Sequence, residues 1–506
     1  MRTVRRALMV LAIAAVAIFG PAGMARSAPG APGSAPAPAL PKNAVVVSEF
    51  APWFHPQTLR VEPGDEVVWS FSDARTLHTI TFLTGFDEPA KTIAFVGRKG
   101  TARQKFTKPG VYVYVCAIHP YMDGQIAVGA NPLPRFIKAW PPASPRGLVA
   151  PRVRGRGEVW VDTQFQTRPN REAPGTVTVV DAATMKVKEV IDGDFNNPHN
   201  IMVSWDERYV VQTNWHQNYL TIIDARTRRI VKNRIPVGES PAHTHTTPRG
   251  KVVVTINASN RIAVLDLVKA VDPAVPAAQV PVRYIEVPLG PHGGWISPDG
   301  KIMVAANALS GQMSIIDLDA EKLLTTVDLT KLTDLDGKAF GANLPLYSAI
   351  SPNKRYSATT TILLTHDKLL QGRVVFQDLR DPANPKVVKI VQVGAVPIQS
   401  PFSPDGRYVV VANTGTANAS VIAVDYDDPA KIRVVSEVAA YRGAHGVAYG
   451  FKQGGGFLAY LTNKYAPVLT VIDLSTSPPR KAGDVHLGPD AWGGNGLVVI
   501  KPRPAH

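Results

Sequence analysis

Cys116 is the only cysteine in this chain of 506 residues. It opens a run Cys116-Ala117-Ile118-His119-Pro120-Tyr121-Met122, and His78 stands 38 residues before it. A thiolate, two imidazoles and a thioether form a soft donor set that suits copper, and His₂Cys with a weak axial Met is the arrangement of a blue-copper electron-transfer site. Three of the donors share one tight loop and the fourth comes from another strand, so the set is rigid. With every position taken by protein, such a site passes electrons better than it binds substrate. The single thiol excludes an intrachain disulfide, a multi-thiolate zinc or iron–sulfur site and a two-copper purple centre.

The remaining chemistry rests on histidine, of which the chain has 12. His199 (Asn-Pro-His-Asn), His292 (Gly-Pro-His-Gly-Gly-Trp) and His445 (Gly-Ala-His-Gly) each stand five residues before the same turn position of a repeated unit. His243 and His245 (Pro-Ala-His-Thr-His) fall at nearly the same place in another copy. Converging neutral imidazoles are what copper or zinc needs. The alternative is a metal-free polar mouth in which these residues cap strand ends and hold water. His216 and His366 fall in loops on the same face, further out, and Lys464 and Tyr465 share it, where they could meet an anion. His55 reads as a surface residue. Imidazole binds metal only when neutral, so a site built at the unperturbed value should weaken below about pH 6.5.

The elements that must position these groups are short strands. Gly and Pro number 40 and 44, and between them the apolar residues run in short alternating stretches. From Asn43 to Gly129 such stretches (VVVSEF, TLRVEPGDEVVWSF, HTITF, GVYVYVCAIHP, QIAV) imply a compact β-sandwich, with turns at Pro63-Gly64-Asp65 and Lys108-Pro109-Gly110. From 157 to 502 an apolar strand ending in Asp recurs seven times (Asp181, Asp224, Asp266, Asp317, Asp378, Asp425, Asp473), at intervals of 42 to 61 residues. Before most copies lies a strand ending in Asn (Asn214, Asn257, Asn307, Asn413, Asn463), and before that a turn of Ser-Pro-Asp-Gly type. The Asn residues read as turn formers. Several strands per unit at this period mean propeller blades. The first unit lacks its inner strand, and the stretch from Trp492 to Val499 is a spare, so joining them closes a ring of seven.

The pattern Phe54-x-Pro56, Pro63-Gly64-Asp65-x-Val67-x-Trp69, His78, Pro109-Gly110-x-Tyr112-x-Tyr114-x-Cys116-x-x-His119-x-x-Met122-x-Gly124 resembles the plastocyanin-type cupredoxins. Its Cys-x-x-His-x-x-Met spacing is most similar to amicyanin and pseudoazurin. The resemblance implies that His78, Cys116, His119 and Met122 are type 1 copper ligands; Thr79 departs from it, since Asn often follows the first His. The Tyr-Val-x-x-Asn and Ser-Pro-Asp-Gly marks resemble the YVTN and nitrous-oxide-reductase-type propellers, and the histidine ring is similar to the copper-bearing mouths of nitrous oxide reductase and thiocyanate dehydrogenase. Leu346-Tyr347, Ile398-Gln399 and Trp492 stand where further histidines would be wanted, which argues for one to three coppers rather than four.

The expected fold is therefore all-β, an N-terminal cupredoxin sandwich (43–129) followed by a seven-bladed β-propeller (157–502). Residues 1–27 have the order of an export signal, with Arg2, Arg5 and Arg6 before an uncharged run from Ala7 to Phe19. Residues 28–42 are a Pro/Ala spacer and 130–156 a basic, Pro-rich linker. The expected location is periplasmic or extracellular, with no membrane span left after cleavage. Lys and Arg outnumber Asp and Glu by 55 to 40, which favours an acidic redox partner. No basic helix or recognition motif accompanies the excess, so nucleic acid is not expected. Two functions fit: a copper-dependent oxidoreductase acting on a small molecule, with an anion favoured by the charge, or a non-catalytic electron carrier whose propeller is a protein-docking or ligand-binding platform.

Overall fold

The computed structural model describes residues 41–48, 54–73, 78–82, 91–96, 100–116, 122–129, 147–166, 168, 173–364 and 371–502. The export signal, the spacer to residue 40, His119 and His366 lie outside the described residues. Among those described, no helix is long and apolar enough to cross a membrane. The chain divides into two units, Met1–Pro141 and Pro142–His506.

Among the described residues the first unit contains two sheets. One has the strand order Phe54–His55, Ala44–Ser48, Glu66–Asp73, Thr101–Lys105; the other runs Thr58–Val61, Asp123–Val128, Gly110–Val115, His78–Phe82, Lys91–Val96. Alternation turns one face of each strand inward. Val45, Val47, Trp69 and Phe71 from the first sheet meet Ile80, Phe82, Tyr114 and Ile126 from the second in one buried cluster. Trp69 and Tyr114 contact edge to face, with ring centres 5.6 Å apart. Gly124 is dictated by this core, because a Cβ there would lie 2.5 Å from the Tyr114 ring.

The second unit consists, among the described residues, of seven sheets, six with four strands and one with three. In five of them four consecutive strands form a meander. The first sheet takes its inner strand, Gly494–Ile500, from the far end of the chain, antiparallel to Glu158–Thr163. The ring closes there, and the fold is a β-propeller. In the sixth sheet the inner segment is irregular, held by single bridges from Pro397 to Asn413 and from Phe402 to Val409. Residues 147–156, part of the expected linker, lie against the first and last blades: Gly155 N donates to Ala182 O, and Asp484 N donates to Val149 O.

The sequence marks have local physical causes. In the Ser-Pro-Asp-Gly turns the Ser hydroxyl donates to the acidic or amide oxygen two residues on, as in Ser204–Asp206, Ser297–Asp299, Ser351–Asn353 and Ser403–Asp405. Each strand-ending Asp accepts backbone N–H groups from the following turn, for example Asp224 from Arg226 and Thr227, the local bond that makes Asp a turn residue. Most of the recurring Asn side chains reach a Ser or Thr seven residues later: Asn214 to Thr221, Asn307 to Ser314, Asn413 to Ser420, Asn463 to Thr470. They brace the hairpin.

Blade joins blade through a second set of bonds. Thr213, Thr255, Thr360 and Thr462 each donate to an inner-strand carbonyl of the next blade, at Ala242, His292, Ile398 and Asn495. These four acceptors mark one ring position, and His199 and His445 follow Pro198 and Ala444 as His292 follows Pro291.

Candidate metal centre in the propeller

The inner strands Pro198–Val203, Pro241–Thr246, Pro291–Ile296 and Ala444–Phe451 all carry a register shift just after their first residue, between Pro198 and Ile201, Pro241 and Thr244, Pro291 and Gly294, and Ala444 and Val447. Such a bulge bends the strand and re-aims its side chains. His199, His243, His292 and His445 all sit inside these bulges. The register of a sheet would point them along its faces; the bulge turns them to the axis.

Three of them meet. The ring nitrogens of His199, His243 and His292 lie within 4.8 Å of one another. Ring centres are 5.6 Å apart for His199–His243, 5.2 Å for His199–His292 and 5.1 Å for His243–His292. His445 stands beside them, its ring centre 6.0 Å from His199. Trp215 stacks on His199 at 4.5 Å.

Hydrogen bonds fix the tautomers. Nδ1 of His292 lies 2.8 Å from the Leu346 carbonyl, so it carries the proton and Nε2 presents a lone pair. That Nε2 is 3.2 Å from Nε2 of His199, which must therefore be the donor. Nδ1 of His199 is then an acceptor, and Asn495 Nδ2 donates to it at 2.9 Å. Nε2 of His243 and Nδ1 of His445 are buried and have no partner among the described residues. Orphaned buried nitrogens beside two more imidazoles suit a cation that accepts lone pairs, and three neutral imidazoles are a recurrent donor set for zinc and copper. A metal held by His199 Nε2 requires that proton to move to Nδ1, where the unpartnered Oδ1 of Asn495 can accept it once the amide turns.

Burial keeps the cluster neutral. It pushes His292 down to about 4, against a smaller upward pull from the Leu346 carbonyl. His199, His243 and His445 lie well below the ordinary imidazole value, first through burial and then through their neighbours' charge. Proton competition for a metal thus begins well below the pH of about 6.5 expected for unperturbed imidazole. The buried Lys464 adds positive charge on His199, His292 and His445, and its Nζ lies 5.3 Å from the Phe165 ring centre.

Other expectations fare differently. His245 does not join the triad; it packs against Trp295 with ring centres 4.9 Å apart. The register shift in Pro241–Thr246 ends at Thr244, so His245 has returned to the sheet, opposite Val253. His216 is buried and bonded to Asn197 at 3.0 Å, outside the triad. His366 lies outside the described residues. At the first blade the ring position belongs to Asn495 rather than Trp492, a residue the sequence reading missed. Its alignment with the His positions, directly before Gly496 as His292 precedes Gly293 and His445 precedes Gly446, could have found it.

In the first unit His78, Cys116 and Met122 are all buried. Cys116 N donates to Met122 O at 3.0 Å, closing the loop that carries the thiol. The pairing of Thr81 with Val115 sets the strand that begins at His78 beside the one that leads to Cys116. His119 falls outside the described residues.

No family model and no curated protein matches the chain. Solved structures do. A functionally unknown protein from Desulfotomaculum acetoxidans is 15% identical, with 69% of this chain and 100% of that chain covered and a TM-score of 0.51. Hydrazine synthase of Kuenenia stuttgartiensis is 19% identical over 57% of this chain and 79% of that chain, at 0.44. Apo AztD from Citrobacter koseri is 11% identical over 70% and 100%, at 0.48. At such identities the Desulfotomaculum likeness bears on the fold alone. What fold and site together define is a β-propeller whose inner strands gather a histidine triad able to hold a metal ion.

Proposed function

We propose that this is an exported copper protein in which a cupredoxin domain transfers electrons and the propeller triad binds a metal ion for redox chemistry on a small molecule. The observation that carries the reading is the convergence of His199, His243 and His292, with orphaned nitrogens on His243 and His445. His199, His243 and His292 would hold the ion, with His445 at its edge. Three protein ligands leave a position open, and an ion so held supplies Lewis-acid or redox character to whatever enters it. The chain's own residues orient the imidazoles through Leu346 and Asn495, shield them with Trp215, and place the Lys464 charge nearby, which suits an anion at the mouth. The type 1 ligands would be His78, Cys116, His119 and Met122, and buried Cys116, Met122 and His78 are compatible with that use.

Metal stoichiometry tests the whole. Copper-loaded protein should hold at least two ions and show an intense thiolate charge-transfer band. Cys116→Ser should lose the band and keep the propeller ion; His292→Ala should do the reverse. A colourless Cu(II) protein would remove the cupredoxin reading, and full metal content in His292→Ala would remove the triad. One copper per chain, bound only in the first domain, would favour the second function: an electron carrier whose propeller docks an acidic partner.

A further inference from the structure

Beyond the triad the propeller channel widens into a cavity of about 340 Å³. It runs along the inner strands from His243, Asn200 and Gln399 at one end to Pro298, Pro352 and Pro404 of the Ser-Pro-Asp-Gly turns at the other. Those three prolines are exposed, so the cavity reaches the surface on the turn face. Trp295, Tyr347, Phe402 and Tyr449 wall it, and among the described residues no Asp, Glu, Lys or Arg lines it.

One polar group in it is unsatisfied in a defined way. His245 is 4% exposed and lines the cavity. The Gly294 backbone acts on the ring as a hydrogen-bond acceptor and raises its basicity, and Nε2 is buried with no partner among the described residues. A ring nitrogen that bonds to a backbone carbonyl is the protonated one, which leaves Nε2 a lone pair facing aromatic walls. Tyr449 cannot serve it, since its hydroxyl already donates to the Pro401 carbonyl at 2.7 Å. A buried acceptor left unmade costs free energy that a ligand supplying the donor recovers. The uncharged walls disfavour any ion, whose desolvation nothing here offsets.

We propose that this chamber is a binding site for a small uncharged molecule with an apolar or aromatic body and one O–H or N–H donor, which bonds to His245 Nε2 and packs on Trp295. The site adjoins the triad at His243, but its contacts on His245 and Trp295 lie outside it and hold whether or not the triad carries metal. It reaches the surface through the turn face, while the triad lies at the opposite end of the inner strands. A molecule in it would lie next to His243, so the chamber is where a neutral reactant or product of metal chemistry could be held.

Calorimetric titration of the full-length, metal-free protein with phenol, toluene and benzoate tests this. Phenol should bind at one site about tenfold or more tighter than toluene, the discrimination expected of one buried hydrogen bond, and benzoate should not compete. His245→Leu should erase the preference for phenol over toluene; His245→Gln, which keeps an acceptor, should restore part of it. In ¹⁵N spectra of the wild type, phenol should shift the His245 Nε2 resonance. Equal affinity for phenol and toluene, tighter binding of benzoate, or an unmoved His245 resonance at saturation would each overturn the proposal. Phenol binding must also survive His292→Ala, so loss of the metal reading and loss of this one are told apart.

Discussion

Asn495 Nδ2 bonds to both Gln164 Oε1 and His199 Nδ1 while its own Oδ1 stays buried without a partner, so one amide decides which nitrogen of His199 faces the triad. Groups that orient metal-binding imidazoles typically matter by 10- to 100-fold in affinity. Asn495→Leu is expected to weaken metal binding at the triad by about that factor. Asn495→Asp, whose carboxylate accepts the Nδ1 proton and leaves Nε2 as ligand, should bind at least as tightly as the wild type. Competitive titration against a chelator of known affinity checks both, and equal affinities in Leu and wild type would show the bond to be incidental. Residue chemistry also explains why His243 and His245, two apart in sequence, differ: one lies in a bulge, the other in regular strand.

At the scale of elements, the inner strands approach so closely that backbone touches backbone. A Cβ on Gly496 would lie 2.6 Å from Asn200 Cα and 2.9 Å from Ile201 N, and one on Gly293 would lie 2.6 Å from the Leu346 carbonyl. Glycine follows the ring position in the first, fourth and seventh blades for this reason. In the third blade that place is held by His243, which therefore reaches the triad from between blades. Gly496→Ala should force the first and second blades apart next to His199. The expected cost is about 1–3 kcal/mol of stability, as for other overpacked sites, with weaker metal binding besides. Denaturant unfolding measures the first and metal titration the second. Thr462 accepts from Gly446 N and donates to the Asn495 carbonyl, so Thr462→Val leaves two buried groups unpaired and should cost on the order of 2 kcal/mol or more.

For the whole molecule, the neutral histidine cluster ties stability to pH. His245 and His292 sit at about 4 in the folded protein because of burial, against about 6.5 in an unfolded chain. Between those values the unfolded chain binds more protons, so stability rises with pH across the window and is lost as pH falls through it. A single fully buried group such as His245 contributes on the order of 3 kcal/mol to that loss. The metal-free protein should therefore show a melting temperature that falls steadily from about pH 6.5 to pH 4, with a shallower fall in His245→Phe. A flat profile would mean that the cluster takes up protons in the fold as readily as in the unfolded chain. The formal charge of +15 adds an ionic-strength test: association with an acidic redox protein should slow as salt rises.

Much of the propeller was legible because its determinants are local. Asp at strand ends, Ser-Pro-Asp-Gly turns and Asn braces act within a few residues, so they recur visibly, and the missing and spare strands at the two ends implied their own pairing. The three histidines at one offset were visible for the same reason. Two things were not. The sequence gives no sign of which nitrogen each imidazole offers, since that depends on Leu346 and Asn495, 54 and 296 residues away from their partners. Nor does it show that Asn495 completes the ring, that His245 leaves it, or that an uncharged aromatic chamber lies below. Spacing along the chain fixes which residues share a repeat; only the bulges and the closure of the ring fix where their side chains point.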